Sequence, residues 1–306
     1  MTRVAQLSVA ISTLERPDAL ERCLVALAGG EVWPSEVIVV DQSSNDDTRA
    51  LIETWRSSLL PITYIRQEPL GLAVSQNAAL GHASCPVVAV IDDDCIADKK
   101  WLATIEQAFT QSGALSSLTG RVLPLEPEGE RVYAVASRAS TVRKDFIGKN
   151  VPWPVGSGNN FAVRREWFHR IDGCDERLGP GSPGQGGVDM DLFYRLLRAG
   201  ARIRYEPDAL VHHERQTKAG RVARRPMYGH GMGASCMFLL REGDLYALRI
   251  LGQWLFFRTR LLASALVHGQ WMTTYEECLM LLGSVRGIIH GLRVHGVTRK
   301  GRRHVK

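Results

Sequence analysis

The chain has 306 residues, 45% apolar and 23% charged, with a formal net charge of +6, an ordinary globular composition with ample core. The charge is unevenly placed: residues 216–306 hold 15 Lys and Arg against 4 Asp and Glu, and residues 1–215 hold 23 against 28. An acidic body argues against a nucleic-acid enzyme with its active site there, and a basic final third suits a surface segment meeting anionic lipid.

The N-terminus, Met1 to Leu7, lacks a long apolar core and a small-residue cleavage site, so no signal peptide is expected. Six scattered cysteines (Cys23, Cys85, Cys95, Cys174, Cys236, Cys278) form no C-x-x-C pair and read as reduced thiols of a cytosolic protein. Residues 4–12 read as a first strand, broken at Thr13 to Asp18. A helix over 19–27 carries Leu20, Leu24 and Leu27 on one face and stops at Gly29-Gly30. Residues 36–40 are a second strand ending on Asp41. A helix from Thr48 to Trp55, a short strand over 62–65 and a helix over 71–80 entered through Gly71 follow. Strand–helix alternation implies a mostly parallel sheet.

Val87 to Ile91 is short, apolar and β-branched, as a strand buried on both faces is. It stops on Asp92-Asp93-Asp94. Ionised carboxylates at a buried strand end must be hydrated, paired or metal-bound, and ligands of open α/β sheets bind at carboxyl ends of strands. In an extended segment Asp92 and Asp94 share a side and Asp93 points elsewhere. Oxygen donors suit Mg2+ or Mn2+. A polar cap on the next helix, around Lys99 to Leu102, explains the same residues equally well.

Residues 120–124 read as a strand entry and 126–149 as a long, mobile irregular excursion. Gly156-Ser157-Gly158-Asn159-Asn160 permits close backbone approach before a strand at Phe161 to Val163. After the glycine-rich 181–187, an amphipathic helix begins at Val188, with Asp189 and Asp191 in its first turn and Gly200 as its stop. Locally, Asp189 reads as a cap or first-turn acid, worth about 0.5–2 kcal/mol. A strand over 201–205 leads to the adjacent His212 and His213, which point to opposite faces. Thr217 to Arg225 reads as a mobile basic loop, either a lid or a solvated linker. Residues 244–268 read as a helix with Arg249, Gln253, Arg260 and Ser264 on one face. Its uninterrupted apolar runs fall short of the roughly 20 residues needed to span a bilayer, so no transmembrane helix is expected. Its wide apolar face fits a membrane interface, the protein body or a second subunit. The basic tail 298–306 reads as disordered.

Together these motifs resemble a family 2 glycosyltransferase over about residues 4–215. The first-half pieces are Ile11-Ser12-Thr13 with Arg16-Pro17, Val39-Val40-Asp41, Gly71-Leu72 with Asn77, and Ile91 to Asp94. The second-half pieces are Asn159-Asn160-Phe161, Asp175-Glu176-Arg177, Asp189-Met190-Asp191 and His213. The resemblance implies an α/β GT-A fold: a Rossmann-like nucleotide-diphospho-sugar transferase with a mostly parallel sheet flanked by helices and a C-terminal helical extension. Residues 1–215 would form the catalytic domain (1–98 nucleotide-sugar half, 99–215 acceptor half), and 216–306 a basic loop and amphipathic helices. Thr13, Arg16, Asp41, Gly71, Asn77, Asp92 and Asp93 would bind the nucleotide, Asp94 and His213 a Mg2+ or Mn2+ ion, and Gly158, Asn159 and Asn160 the acceptor side. Asp189 would be the general base of an inverting transfer, with Asp191 as alternative or cap. The implied partners are a nucleotide-diphospho-sugar donor and a glycan or lipid-linked acceptor, without nucleic acid, with peripheral membrane contact through 240–306 and a homodimer both open. The implied setting is the cytoplasm or the inner face of the cell membrane. Gln42, Gln76 and Val188 depart from the family pattern. A sugar-nucleotide pyrophosphorylase is the enzymatic alternative, although Ser12 to Pro17 lacks its glycines and lysine. A non-catalytic nucleotide-sugar-binding or scaffold protein is the other.

Overall fold

The computed structural model describes residues 3–56, 60–294 and 299. Contacts divide the chain into two units. The first is residues 1–70, 74–174 and 192–215; the second is 71–73, 175–191 and 216–306. The division falls after Arg215, but two short segments of the preceding sequence also belong to the second unit.

The elements in chain order are β1 (Arg3–Thr13), α1 (Pro17–Ala28), β2 (Val32–Asp41), α2 (Asp47–Thr54), β3 (Ile62–Arg66), α3 (Leu72–His82), β4 (Val87–Ile91), β5 (Cys95–Ala97), α4 (Trp101–Gln111), β6 (Ser117–Pro124), β7 (Lys144–Phe146), β8 (Asn160–Arg164), α5 (Arg165–Arg170), α6 (Val188–Arg198), β9 (Ile203–His213), α7 (Lys218–Arg241), α8 (Tyr246–Val267) and α9 (Trp271–Arg293). The sheet runs β3-β2-β1-β4-β8-β6-β9-β5, with β7 on β9. Its β3-β2-β1-β4 half is parallel throughout, because each strand is followed by a helix that returns the chain to the same end. Every residue of β4 is buried, as its continuous apolar run requires.

Two ladders matter for function. Thr13 is level with Asp41 across β1 and β2, and Ala10 is level with Val90 across β1 and β4. The carboxyl ends of three strands therefore bring Thr13, Asp41 and Asp92 to one edge. The three-residue β5, too short to show in the sequence pattern, pairs antiparallel with β9 and sets Cys95 opposite His213. The excursion 126–149 is irregular apart from β7 and isolated bridges.

In the second unit, the basic stretch 217–225 is not a loop. It is the start of α7, capped by the Thr217 Oγ1, which accepts from the Gly220 N–H at 3.1 Å. The reason is charge pairing. Arg221 and Arg225, four residues apart on one helix face, both bind the buried Glu276 of α9, at 2.5 and 2.6 Å. The helix expected over 244–268 is α8, which ends at Val267, and α9, which the sequence reading did not name, follows it. By length and composition alone α8 is apolar enough to cross a membrane. Arg249, Arg258 and Arg260 interrupt its apolar run, and length and composition alone do not show that it spans a bilayer. Helices α7 and α9 touch backbone to backbone. A Cβ on Gly287 would stand 2.0 Å from the His230 carbonyl oxygen. Gly287→Leu is therefore expected to cost about 1–3 kcal/mol or more, read as a lower midpoint in thermal melting, whereas the same change at the exposed Gly252 should leave the midpoint nearly unmoved.

Candidate active site

The three aspartates lie on a turn closed by the Cys95 N–H donating to the Asp92 carbonyl at 3.1 Å. Strand alternation therefore does not apply, and Asp93 is not the outlier. It is fully buried and accepts from the Thr13 hydroxyl at 2.7 Å. Arg16 spans the cluster, with one nitrogen 2.5 Å from Asp93 Oδ1 and the other 2.7 Å from Asp94 Oδ2. Asp92 is half-buried. Burial would lower the Arg16 pKa, but Asp93 and Asp94 outweigh it and raise it. At Asp93, burial pushes the carboxyl up, Arg16 pulls it down, and Asp94 adds to the upward push; burial wins, to about 7.

Asp94 Oδ1 faces His213 Nε2 at 3.5 Å, and His213 Nδ1 lies 2.6 Å from the Glu214 carbonyl oxygen. A carbonyl can only accept, so Nδ1 carries the proton, and in a neutral ring Nε2 presents its lone pair. A metal ion there would meet a carboxylate oxygen and the Nε2 lone pair of the neutral ring, 3.5 Å apart. The backbone keeps them there: the Glu214 N–H donates to the Asp94 carbonyl at 3.0 Å, next to the Cys95–His213 pair. Asp94, Cys95 and His213 offer ligand atoms within 4.8 Å of one another. A carboxylate and an imidazole fit Mg2+ or Mn2+, with phosphate oxygens completing the shell. Cys95 does not: burial first, then Asp92 and Asp94, raise its thiol well above its usual value, and a neutral thiol is a poor ligand for a hard ion.

Asp41 is buried and accepts from the Ser43 N–H at 2.8 Å and the Tyr64 hydroxyl at 2.7 Å. Burial, then that bond, raises the Tyr64 phenol. Tyr64 and Arg66, at 3.8 Å from Asp41, are site-edge residues the motif reading did not name; a polar strand end beside Asp41 was the available signal. A concavity of about 910 Å³ adjoins Tyr64 and Arg66 and is lined by neither the aspartate triplet nor His213.

Other expected site residues are occupied structurally. Asn77 donates to the Cys174 carbonyl and accepts its N–H, at 3.0 and 2.8 Å. Gly71 has φ +105°, and a Cβ there would meet the Pro180–Gly181 backbone at 3.1 Å. Asn160 is fully buried, donates to the carbonyls of Arg121 and Ala209, and accepts from the Trp101 indole N–H. Asn159 is buried too, but neither of its amide atoms has a hydrogen-bond partner among the described residues. Gly158 is half-buried. In the second unit, the half-buried Asp189 accepts from the Met190 N–H at 2.9 Å at the start of α6, and Asp191 is buried. Burial and then Asp191 push the Cys236 thiol up to about 12.

Aspartates, an arginine and a carboxylate–histidine pair thus gather at the carboxyl ends of parallel strands, where open α/β sheets bind their ligands. Residues 8–172 match the sequence profile of Glycosyl transferase family 2, and the chain belongs to that family. It is 28% identical over 185 residues to the pre-mycofactocin glycosyltransferase of Mycobacterium tuberculosis, covering 57% of this chain and 36% of that protein. It is 26% identical over 212 residues to the succinoglycan biosynthesis protein ExoM of Rhizobium meliloti, covering 67% of this chain and 66% of that one. The chain thus spans about a third of the first relative's length. Among solved structures, the mannosyltransferase PcManGT from Pyrobaculum calidifontis, in complex with GDP-Man and Mn2+, superposes with TM-score 0.63 at 18% identity, covering 94% of this chain and 88% of that one. The fold is GT-A: a mixed, mostly parallel sheet flanked by helices, with C-terminal helices.

Two expectations follow. An acid whose folded pKa lies above its unfolded value near 4 binds more protons when folded, so stability falls as pH rises from about 4 to 7. In urea melts of metal-free protein, Asp93→Asn should flatten that slope; an unchanged slope would assign the effect elsewhere. Asn160→Ala strands the Trp101 N–H and two carbonyls, each worth about 1–3 kcal/mol, and should lower the melting midpoint irrespective of any acceptor.

Proposed function

We propose that the chain transfers a hexose from a nucleotide-diphospho-sugar to an acceptor hydroxyl with inversion, with Mg2+ or Mn2+, in synthesis of a polysaccharide, glycolipid or other cell-surface glycan. The observation that carries this reading is the Asp94–His213 pair, two acceptors held face to face at 3.5 Å beside Arg16. Family membership and the names of the relatives support the reaction class.

Asp94 and His213 would hold the metal ion. The ion would offset charge developing on the departing nucleoside diphosphate. Asp41, with Tyr64, faces the nucleobase, and Thr13 and Asp92 the remainder of the nucleoside. Arg16 keeps Asp93 and Asp94 compatible with burial and adds positive charge where phosphate would sit. Gly71 and Asn77 would belong to the nucleotide side, and Gly158, Asn159 and Asn160 to the acceptor side, where the Asn159 amide would supply hydrogen bonds. Asp189 takes the proton of the acceptor hydroxyl as that oxygen attacks the anomeric carbon from the face opposite the diphosphate. One C–O bond forms as the bond to phosphate breaks, and no covalent enzyme intermediate is needed. Asp191, being buried, serves better as a support for the start of α6. Six free cysteines support a reducing, cytoplasmic setting.

Incubation with a panel of UDP-, GDP- and dTDP-sugars should release nucleoside diphosphate from one class and stop with EDTA. Asp189→Asn should lower transfer about 10²–10⁴-fold, and Asp94→Ala and His213→Ala should lower both metal-dependent binding and turnover. Full transfer by Asp189→Asn removes that residue as base. Sugar-nucleotide formation from a sugar phosphate and a nucleoside triphosphate would establish the pyrophosphorylase instead. Donor binding without turnover on any acceptor would establish a binding module.

A further inference from the structure

We infer that the α8–α9 hairpin is a docking surface for an anionic lipid bilayer, lying in the headgroup region rather than crossing it. This stands independently of the sugar-transfer reading.

Helix α9 has two distinct faces. Glu276, Glu277, Met280, Gly283, Ser284, Gly287 and Gly291 are buried. Trp271, Tyr275, Leu282, Val285, Ile289 and Leu292 are exposed, at alternating spacings of three and four once Cys278 takes its place between Tyr275 and Leu282. That is an unbroken apolar stripe along the helix. On α8, Leu248, Phe256, Phe257, Leu266 and Val267 are exposed too, and only 17% of its most apolar window is buried. A core helix would be covered. The stripes meet at the hairpin tip, where Val267 is 83% and Trp271 74% exposed. Contiguous apolar surface on this scale marks an interaction site.

The charges identify the occupant. From Tyr246 to Arg293 the acids are Glu276 and Glu277. Both are buried and bound to arginines, Glu276 to Arg221 and Arg225 and Glu277 to Arg258. The exposed charged side chains of the two helices are then Arg249, Arg260, Arg286 and Arg293, all cationic. A second copy of this face would set arginine against arginine with no exposed acid to pair it. Anionic headgroups meet the same arginines favourably, while aromatic and aliphatic side chains enter the acyl boundary. Arg249, Arg258 and Arg260 are spread along α8, which makes crossing costly and lying flat consistent. Trp271 and Tyr275 suit the interface depth.

The test is flotation of the full chain with vesicles of phosphatidylcholine alone or with about 30% phosphatidylglycerol. The protein should float with the anionic vesicles, lose binding as salt rises, and leave neutral vesicles largely unbound. Arg260→Glu with Arg286→Glu should weaken binding roughly tenfold or more. Val267→Asp with Trp271→Asp should abolish it. All four positions are exposed, and an unchanged melting midpoint for at least the arginine pair confirms that the fold is kept. No flotation, equal flotation on neutral vesicles, or binding unaffected by both pairs overturns the inference. So does lipid-free dimerisation abolished by Leu282→Glu with Ile289→Glu, which would assign the face to a second copy.

Discussion

Burying adjacent carboxylates at the end of a sheet strand is the constraint on which the site depends. Asp93 has almost no solvent and Asp94 little, and like charges at that separation cannot both ionise without a counter-charge. Arg16 supplies one guanidinium to both. The loop after β1 must therefore stand over the turn after β4, which the β1–β4 ladder arranges by pairing those strands in parallel. The arginine is 42% exposed at its side chain, so part of it stays open to solvent while its guanidinium pairs both aspartates. One residue thus neutralises two buried carboxylates at the edge that the proposed donor would meet.

Neutralisation by Arg16 addresses Asp94 Oδ2 and leaves Oδ1 turned to His213. That second contact spans 119 positions of sequence and rests on a three-residue strand. The β5–β9 pairing fixes backbone register, and the Glu214 carbonyl fixes the imidazole tautomer. If this pair holds a metal, the imidazole is already oriented for it, because its far nitrogen is committed to the Glu214 carbonyl. Cys95 falls inside the cluster only because it is His213's ladder partner.

How far the sequence revealed this depends on the range of each interaction. Strands β1, β2 and β4 and helices α1 and α6 follow from apolar periodicity, which is local. The expected roles of Asp41 and His213 came from motif order, and that of Asp94 from the carboxylates ending a buried strand together with motif order. Misreadings have physical causes. An extended triplet points Asp93 away from Asp92 and Asp94, whereas a turn hydrogen bond from Cys95 bends it. Residues 217–225 looked like a solvated loop because their counter-charge, Glu276, lies over fifty residues away in sequence. Asn77 and Asn160, expected as ligand contacts, also hold backbone groups through their amides, a use that no spacing reveals. The strand β5 was illegible because it is too short, whereas the end of α8 was legible to within one residue, beside Gly269 with φ +63°.

The central claim is that Asp94 and His213 together hold a divalent ion. Pulsed electron paramagnetic resonance of Mn2+ added to the full chain with a nucleoside diphosphate tests it most directly. The predicted result is bound Mn2+ whose signal carries modulation from one imidazole nitrogen, with that modulation lost in His213→Ala and the ion lost in Asp94→Ala. Bound Mn2+ with no imidazole nitrogen in the native protein, or an identical signal in His213→Ala, would contradict it.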